Sequence, residues 1–345
     1  MSDAKRSAEP VRWGILGTAS IALTKVIPAM RKSALARVEA IASRDIDKAR
    51  KAANAQGIDR AYGSYEELLE DPAIEAVYIP LPNHLHVPWT IKAAHAGKHV
   101  LCEKPIATSA AEARQLLEVR RHTGRVIEEA FMVRTHPQWL EARRLARSGR
   151  IGDLRLVAGH FSYFRRDPHD VRSRLEFGGG ALFDIGCYPI TMSRWLFDEE
   201  PTEAIAMIER DPDMHIDRLL SAMLRFPSGQ AAFTCAGQLV PFQRMEIFGT
   251  RGRIMIEIPF NAPPPPPTDR PCRIFVDDGS KVASAAAEVI EFPIVDQYTL
   301  QTDHFCRALR GDEDVPVTLE DSIANLEVID ALFRSAETHR WERPA

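Results

Sequence analysis

Lys104 and Tyr188 are the residues of this chain whose types and settings best suit proton transfer. Lys104 follows the apolar segment Val100–Cys102 and precedes Pro105, so it lies at the end of a predicted strand. Tyr188 comes shortly after the glycine run Gly178–Gly180. A phenol has an ordinary pKa of about 10, and a nearby ammonium group lowers that pKa because it favours the phenolate. The two side chains could therefore work as an acid–base pair.

Asp184 belongs to the same segment as Tyr188. The two lie four residues apart, so their side chains share a face if the segment is helical. Pro189 complicates this prediction, because proline suits a helix only in its first turn unless the helix kinks. The preceding glycines permit close approach of a ligand to the backbone. The alternative interpretation is an N-capping aspartate, a core tyrosine and, for Lys104, a surface lysine.

A turn that could bind a pyrophosphate follows the first predicted strand. The segment Gly17-Thr18-Ala19-Ser20-Ile21-Ala22 stands where the pattern Gly-x-Gly-x-x-Gly is expected, with alanine in place of the second and third glycines. The match is weak by itself, and a plain strand-to-helix turn is the alternative. Its position between a strand and a helix favours a dinucleotide site, because N–H groups at a helix start bind phosphate.

The end of the second predicted strand indicates which dinucleotide is preferred. A carboxylate usually stands there when the ligand is NAD, since it binds the ribose 2′-hydroxyl. This chain has Ser43 and Arg44 first, and Asp45 only after them. A hydroxyl and a guanidinium suit a 2′-phosphate, so NADP is favoured. In the alternative interpretation Arg44 is a solvated helix-start residue and Asp45 an N-cap.

The order of predicted elements indicates an α/β chain with two domains, residues 1–131 and 132–345. Strand and helix segments alternate from residue 11 to about 130, which predicts a parallel sheet. After Gly149 short strands follow one another through turns such as Pro227–Gly229, which predicts a mostly antiparallel sheet. The proline run Pro263–Pro267 reads as a stiff surface loop, with a partner-docking segment as the alternative.

Composition excludes several classes of protein. Of 345 residues, 44 are Lys or Arg and 48 are Asp or Glu, a balance that gives no support for nucleic-acid binding. We expect neither a signal peptide nor a membrane span, and five scattered cysteines suit a reducing cytoplasm. His84 and His86 lack the further ligands of a metal site, so we predict no metal.

In the segments Gly17–Ala19, Glu103-Lys104-Pro105 and Gly178–Tyr188 the chain resembles the Gfo/Idh/MocA oxidoreductase family, and the resemblance covers nearly its whole length. The resemblance implies an N-terminal NADP-binding Rossmann domain and a C-terminal α+β domain that binds substrate and forms oligomers. Tyrosine at position 188 is similar to the branch that holds dimeric dihydrodiol dehydrogenase, D-xylose dehydrogenase and glucose–fructose oxidoreductase. The two alanines of the phosphate turn are the main departure.

The resemblance also implies a site. Lys104, Tyr188 and Asp184 would be catalytic. The cofactor would contact two groups of residues, namely Gly17, Thr18, Ala19, Ser20, Ile21, Ser43 and Arg44, and Leu81, Asn83, His86, Glu103 and Lys104. The tentative substrate residues are Arg134, His136, Arg172, Asp184 and Tyr188.

We therefore expect an NADP-dependent oxidoreductase that acts on a sugar, such as the aldose D-xylose, or on a cyclic diol. One alternative is a glucose–fructose-type oxidoreductase with tightly held NADP, and another is a non-catalytic regulator that senses NADP. We also expect a homodimer or larger homo-oligomer, because a one-layer sheet has a second face to cover.

Overall fold

The computed structural model describes residues 9–263, 270–281 and 287–345, so most of the run Pro263–Pro267 lies outside the described residues. It divides into two compact units. The N-terminal unit comprises the described residues up to Ala107, Ala111–Thr135 and Asp296–Ser322, and the C-terminal unit comprises Thr108–Ala110, His136–Val295 and Ile323–Ala345. The predicted domains 1–131 and 132–345 stay a prediction, but one late segment of the chain belongs to the N-terminal unit.

The strands and helices have the following bounds. The strands are β1 (Val11–Leu16), β2 (Ala36–Ala42), β3 (Arg60–Tyr62), β4 (Ala76–Ile79), β5 (His99–Cys102), β6 (Ile127–Glu129), β7 (Leu154–Phe164), β8 (Glu203–Arg210), β9 (Asp217–Arg225), β10 (Gln230–Ala236), β11 (Gln238–Gly249), β12 (Arg253–Ile256), β13 (Arg273–Asp277) and β14 (Glu288–Glu291). The α-helices are α1 (Ile27–Met30), α2 (Ile46–Gln56), α3 (Tyr65–Glu70), α4 (His86–His95), α5 (Ala110–Thr123), α6 (Pro137–Arg147), α7 (Cys187–Phe197), α8 (Gln297–Arg310) and α9 (Leu319–Thr338). Two π-helical turns, Ala22–Val26 and Leu182–Gly186, directly precede α1 and α7.

The N-terminal unit contains a six-stranded parallel sheet of order β3-β2-β1-β4-β5-β6. Its central strands are buried on both faces, as β4 shows with four buried residues in succession. Continuous apolar runs of this kind are typical of parallel sheets covered by helices. The predicted Rossmann-like parallel sheet is confirmed.

Helix α8 explains why a late segment belongs to the N-terminal unit. The rings of Trp13 on β1 and Phe305 on α8 lie 5.0 Å apart, and both side chains are fully buried. Cys306 belongs to the same apolar cluster. Burying large apolar side chains stabilises the folded unit, so α8 is part of the N-terminal core.

The C-terminal unit is built on an eight-stranded sheet of order β14-β13-β12-β11-β7-β10-β9-β8. Its neighbours run antiparallel except β7 and β10, which run parallel. The predicted, mostly antiparallel second sheet is therefore confirmed. Gly237 separates β10 from β11.

The two faces of this sheet differ in burial. Leu220 and Leu224 of β9 are fully buried, whereas Met223 between them is 41% exposed. Met207 on the neighbouring strand β8 is 76% exposed. Alternation of this kind marks a sheet with one face in the core and one face open in the described chain.

Candidate functional site

The turn after β1 has the geometry of a phosphate-binding turn. Gly17 has a φ of +118°, and a Cβ there would lie 3.1 Å from Leu81 Cδ2. Its N–H donates to the carbonyl of Ala42 at 2.9 Å, which ties the turn to the end of β2. Thr18, Ala19, Ser20 and Ile21 follow with partly or fully exposed side chains, and the helical residues begin at Ser20. Only glycine suits the first position, because its φ lies in a region that L-residues rarely adopt.

The end of β2 places Arg44 beside Tyr65. Burial raises the pKa of Tyr65, while the charge of Arg44 and its hydrogen bond to the phenol act in the opposite direction. Ser43 is buried, and its Oγ accepts from the N–H of Asp45 at 3.3 Å. Asp45 caps α2 by accepting from the N–H groups of Asp47 and Lys48. The carboxylate of Asp45 is therefore occupied as the N-cap of α2. The residue before it, Arg44, is an exposed cation.

His86 links two loops of the N-terminal unit. Its Nδ1 lies 2.7 Å from the carbonyl oxygen of Pro105, and its Nε2 lies 2.7 Å from that of Leu81. Burial lowers the pKa of His86 to about 4, although both carbonyls favour the protonated ring. His86 is 1% exposed, so it holds the loops of Leu81 and Pro105 together from inside the protein. Asn83, in the loop of Leu81, is partly exposed.

Lys104 lies in a turn that follows β5. The preceding residue, Glu103, accepts from the hydroxyl of Tyr78 at 2.6 Å and from the N–H of Lys104 at 3.3 Å. Burial raises the pKa of Tyr78 well above its ordinary value, so its phenol stays a donor. Lys104 itself is only partly buried. Its position is therefore set by the strand end and by the held side chain of Glu103.

The glycine run of the C-terminal unit makes room for a buried carboxylate. Gly180 has a φ of +117°, and a Cβ on it would lie 1.9 Å from Asp217 Oδ1. Asp217 Oδ2 accepts from the N–H of Leu182 at 2.6 Å. Burial raises the pKa of Asp217 to about 7. A side chain from β9 thus caps the helical segment that carries Asp184 and Tyr188.

The helical segment accommodates Pro189 through its π-helical turn. This turn, Leu182–Gly186, is wider than an α-helical turn and ends three residues before the proline. The same arrangement occurs in the N-terminal unit, where Ala22–Val26 precedes Pro28. Proline cannot donate the usual helical hydrogen bond, and a π-turn is one of the known ways in which a helix adapts. The segment therefore remains helical through Tyr188.

Two side chains hold Asp184, and the sequence did not predict that they meet there. Its Oδ2 accepts from Tyr163 Oη at 2.6 Å and from Arg172 Nε at 3.1 Å. Burial first, and then Asp184, raises the pKa of Tyr163, while Asp184 raises the pKa of Arg172. Tyr163 was missed because it sits in β7, Leu154–Phe164, where no motif marks it. A recess lined by Tyr163, Arg172 and Asp217 opens beside this cluster.

Tyr188 is held by aromatic packing. Its ring centroid lies 5.9 Å from that of Phe161 on β7 and 5.4 Å from that of Phe260. The residue is 5% exposed. Aromatic neighbours at such distances fix a ring in position, so the place of the phenol depends on residues far away in sequence.

Arg134 and His136 have structural partners. Arg134 donates to Asp321 Oδ2 at 2.6 Å and to the carbonyl of Pro316 at 3.1 Å, and its side chain is 9% exposed. His136 is buried and caps α6 through an Nδ1 that accepts from the N–H of Gln138 at 3.3 Å. We therefore do not carry either residue into the proposed substrate site. Arg172 stays in it, because its side chain is 41% exposed.

Two kinds of feature are absent from the described residues. No three His, Cys, Asp or Glu side chains of the described chain come together as a metal site would require. Within the same residues, no helix has both the length and the apolar character needed to cross a membrane.

Two family models match the chain. Residues 11–131 match the NAD-binding Rossmann fold of the Gfo/Idh/MocA oxidoreductase family, and residues 139–255 match a C-terminal domain of that family. An uncharacterized oxidoreductase of Rhizobium meliloti is 50% identical over 96% of this chain and 98% of its own. The NADP-dependent D-xylose 1-dehydrogenase 2 of Haloferax volcanii is 36% identical over 94% of this chain and 97% of its own.

A solved structure is similar over almost the same length. It is a 3-ketoreductase from Actinomadura kijaniata in complex with NADP and TDP-benzene, with a TM-score of 0.86, 30% identity, and coverage of 94% of this chain and 98% of that chain. Structures of that enzyme also exist with one tyrosine changed to phenylalanine and with one lysine changed to alanine.

Proposed function

The chain belongs to the Gfo/Idh/MocA oxidoreductase family, and we propose that it is an NADP-dependent enzyme acting on a CH–OH group of a sugar or a related cyclic diol. The observation that carries the proposal is the presence of a lysine and a tyrosine, Lys104 and Tyr188, at a particular spacing in the chain. In the 3-ketoreductase from Actinomadura kijaniata, the lysine and the tyrosine that were replaced are separated by the same number of residues as this pair. Lys104 and Tyr188 are therefore the first residues to test.

The residues present fit NADP. Gly17 supplies a turn that a Cβ would crowd, and the accessible segment from Thr18 to Ile21 opens a helix, as a pyrophosphate site requires. Arg44, with Tyr65 beside it, would hold a 2′-phosphate, because guanidinium groups bind phosphate through charge and paired hydrogen bonds. Leu81, Asn83 and Glu103 would line the nicotinamide half. When bound, the nicotinamide supplies the hydride acceptor or donor.

The chain's own residues would manage the proton. Tyr188 would accept the hydroxyl proton during oxidation and return it during reduction. Lys104 would stabilise the phenolate and hydrogen-bond the reacting oxygen. Asp184 would orient the substrate, since Tyr163 and Arg172 hold its carboxylate in place. Tyr163 would stay a protonated donor, because burial and Asp184 both raise its pKa.

A screen of substrates tests this proposal. The purified protein is mixed with NADP or NAD and with aldoses, including D-xylose, or cyclic diols, and the absorbance of the reduced cofactor is followed. We expect reduction of NADP with at least one compound. Tight binding of NADP without turnover of any compound would instead favour a regulator, and NADP that stays bound through gel filtration would favour the glucose–fructose type.

The reverse reaction on an activated sugar is a second candidate. A dTDP-sugar 3-reductase of Streptomyces violaceoruber is 34% identical over 94% of this chain and 95% of its own, a likeness close to that of the xylose dehydrogenase. A nucleotide-linked keto sugar should then oxidise NADPH. The rate of NADPH oxidation with the keto sugar is compared with the rate of NADP reduction with the aldoses under one set of conditions. The faster reaction decides between the two candidates.

We also propose a homodimer in which the open face of the C-terminal sheet is covered by a second copy. Met207, Met223 and Val289 expose apolar surface on strands of that sheet. An exposed apolar patch of a soluble protein commonly marks an interface. Light scattering at micromolar concentration should give the mass of two chains or more, and Met207→Asp should lower it, whereas a monomeric wild type would contradict the proposal.

A further inference from the structure

Strand β11 presents two opposite charges on the open face of the C-terminal sheet. Arg244 and Glu246 are two residues apart on that strand, and Met245 between them is fully buried. Successive strand residues point to opposite faces of a sheet, so both charged side chains lie on the open face. Neither forms an ion pair with another described residue. This face therefore carries a cation and a carboxylate that a partner could pair with.

Glu246 lies in a row of side chains that crosses all eight strands of the sheet. The pairing registers place one residue of each strand in this row, namely Ile205, Met223, Ala232, Ala158, Glu246, Met255, Phe275 and Val289. Each of them is at least partly exposed, as expected for the open face. Strand β11 is the fourth strand from the β14 edge, so Glu246 is a carboxylate near the centre of an otherwise apolar row.

A second copy that covers this face would remove the carboxylate of Glu246 from water. Burying an ionised carboxylate is costly unless a cation and hydrogen-bond donors replace the lost water. The apolar side chains of the row offer neither. An interface over this row is therefore favourable only if the partner places a cation opposite Glu246.

Arg244 is suited to supply that cation. Three further arginines of the open face, each two residues from a member of the row, are paired within their own chain, as Arg225–Glu203, Arg253–Asp277 and Arg273–Glu257. The guanidinium of Arg244 instead lies over the ring of Phe242, 5.4 Å from its centroid. That ring packs in turn against His160 on β7, with centroids 5.5 Å apart. Arg244 is thus held over the face while its charge stays unpaired in the described chain.

A two-fold axis makes the two charges complementary to each other. In an interface between identical surfaces, residue i of one copy meets residue j of the other, and j meets i. An axis that lies between the two sheets and crosses β11 at Met245, at right angles to the strand, places each Arg244 opposite a Glu246. An axis along the strand would instead bring equal charges together. The face is therefore complementary to itself in charge for one orientation of the axis.

We propose that the open face binds a second copy of the chain through two reciprocal ion pairs, each between Arg244 of one copy and Glu246 of the other. The inference rests on the homodimer proposed above and adds its register and the direction of its axis. It does not depend on the reaction that the chain catalyses.

Reversal of the two charges tests this proposal. In R244E and in E246R, one substitution turns both ion pairs into contacts between like charges, so the Kd of each homodimer should rise by about tenfold or more over the wild type. In an equimolar mixture, one chain brings carboxylates at both positions and the other brings guanidinium groups. A heterodimer should then form with a Kd near that of the wild type. Sedimentation velocity at a series of concentrations gives the three values.

The mixture separates pairing between chains from pairing within one chain. A pair within one chain would be restored in R244E/E246R but not in the mixture, whereas reciprocal pairs are restored in both. R225E is the matched control, because Arg225 lies on the same face and is paired with Glu203 of its own chain. Recovery of affinity when R225E is mixed with E246R would mean unspecific attraction and would overturn the proposal.

The remaining outcomes are equally decisive. Wild-type affinity in R244E and E246R, or a mixture as weak as either variant alone, would overturn the proposal. A dimeric wild type together with such a result would contradict only the ion pairs. A wild type that is monomeric at every concentration would contradict the homodimer as well.

Neutral variants cover poor folding of a charge-reversed chain. R244Q and E246Q each remove both ion pairs from their own homodimer. In their mixture, one chain still offers Glu246 and the other still offers Arg244, so the heterodimer retains one pair. We expect it to form with a lower Kd than either homodimer. Equal values for all three dimers would also overturn the proposal.

Discussion

The Lys104 turn of the N-terminal unit and the Tyr188 helix of the C-terminal unit are held in different ways. Lys104 lies two residues after strand β5 of the parallel sheet, where neighbouring strands and charged groups fix the chain. Tyr188 lies on a helix that is capped by Asp217 and packed against Phe161 and Phe260. Substitutions near Lys104 should therefore act mainly through charge, whereas substitutions near Tyr188 should act mainly through packing and helix placement.

The largest expected effect comes from removing the reactive groups. Tyr188→Phe removes one oxygen, so NADP binding should persist while turnover falls by roughly 10²-fold or more, as for loss of a positioned acid–base group. Lys104→Ala should cause a similar loss. The double variant should lose much less than the product of the two, because both groups serve one proton.

Steady-state rates and NADP titrations of the three variants check this prediction. Tyr62→Phe is the control, since it removes a phenol that donates to Asp71 and lies outside the proposed site. Wild-type turnover in Tyr188→Phe would make Tyr188 a packing residue only.

The second effect concerns the buried cap of the Tyr188 helix. Because the folded-state pKa of Asp217 is raised to about 7, above its ordinary value of 3.8, the folded protein binds this proton more tightly than the unfolded chain does. The stability contributed by this proton is complete below about pH 4 and is lost as the pH rises to about 7, up to roughly 4 kcal/mol. Asp217→Asn cannot titrate.

Urea unfolding of the wild type and of Asp217→Asn, at pH values between 5 and 8, checks the direction of this change in stability. This pH range brackets a titration near neutrality. The free energy of unfolding of the wild type should fall relative to Asp217→Asn as the pH rises, and the difference should level off above neutrality. A difference that is constant with pH would mean that Asp217 is not titrating in the folded protein.

The third effect tests close packing at the glycine run. Gly180→Ala places a Cβ 1.9 Å from Asp217 Oδ1 at a φ of +117°, so the free energy of unfolding should fall by about 2 kcal/mol or more. Gly124→Ala is the matched control, because its φ of +64° is also positive but no atom lies within 4 Å of the added Cβ. Thermal unfolding measures the loss of stability in both variants. If Gly180→Ala and Gly124→Ala lost equal stability, the close approach of Asp217 would add no strain.

The smallest effect lies in the N-terminal unit at the end of β2. Arg44→Ala should weaken NADP by about tenfold and leave NAD unchanged, since a charged hydrogen bond contributes about 1.5 to 3 kcal/mol. Arg50→Ala on α2 removes a cation that is paired with Asp47 and serves as the control. Fluorescence titration with both cofactors gives the affinities, and equal NADP affinity in Arg44→Ala and the wild type would remove Arg44 from the site.

The sequence predicted the parts of the site that depend on strand ends and local chain direction. In a parallel sheet the residue that follows a strand lies at a known edge, so Gly17 and Lys104 could be placed from apolar segments alone. The φ of +118° at Gly17 agrees with the glycine that the turn pattern requires. The capping of α2 by Asp45 was also foreseen, as an alternative interpretation.

Only the tertiary structure decided how Asp184 and the helix of Tyr188 are held. Tyr163 and Arg172 reach Asp184 from β7 and from a loop, and Asp217 reaches the helix start from β9. No local pattern marks such partners, because they are set by which side chains meet when distant segments pack together. Burial likewise decided that Arg134 and His136 serve ion pairing and helix capping. The sequence therefore determined which groups could react, while packing determined which partners hold them and at what charge.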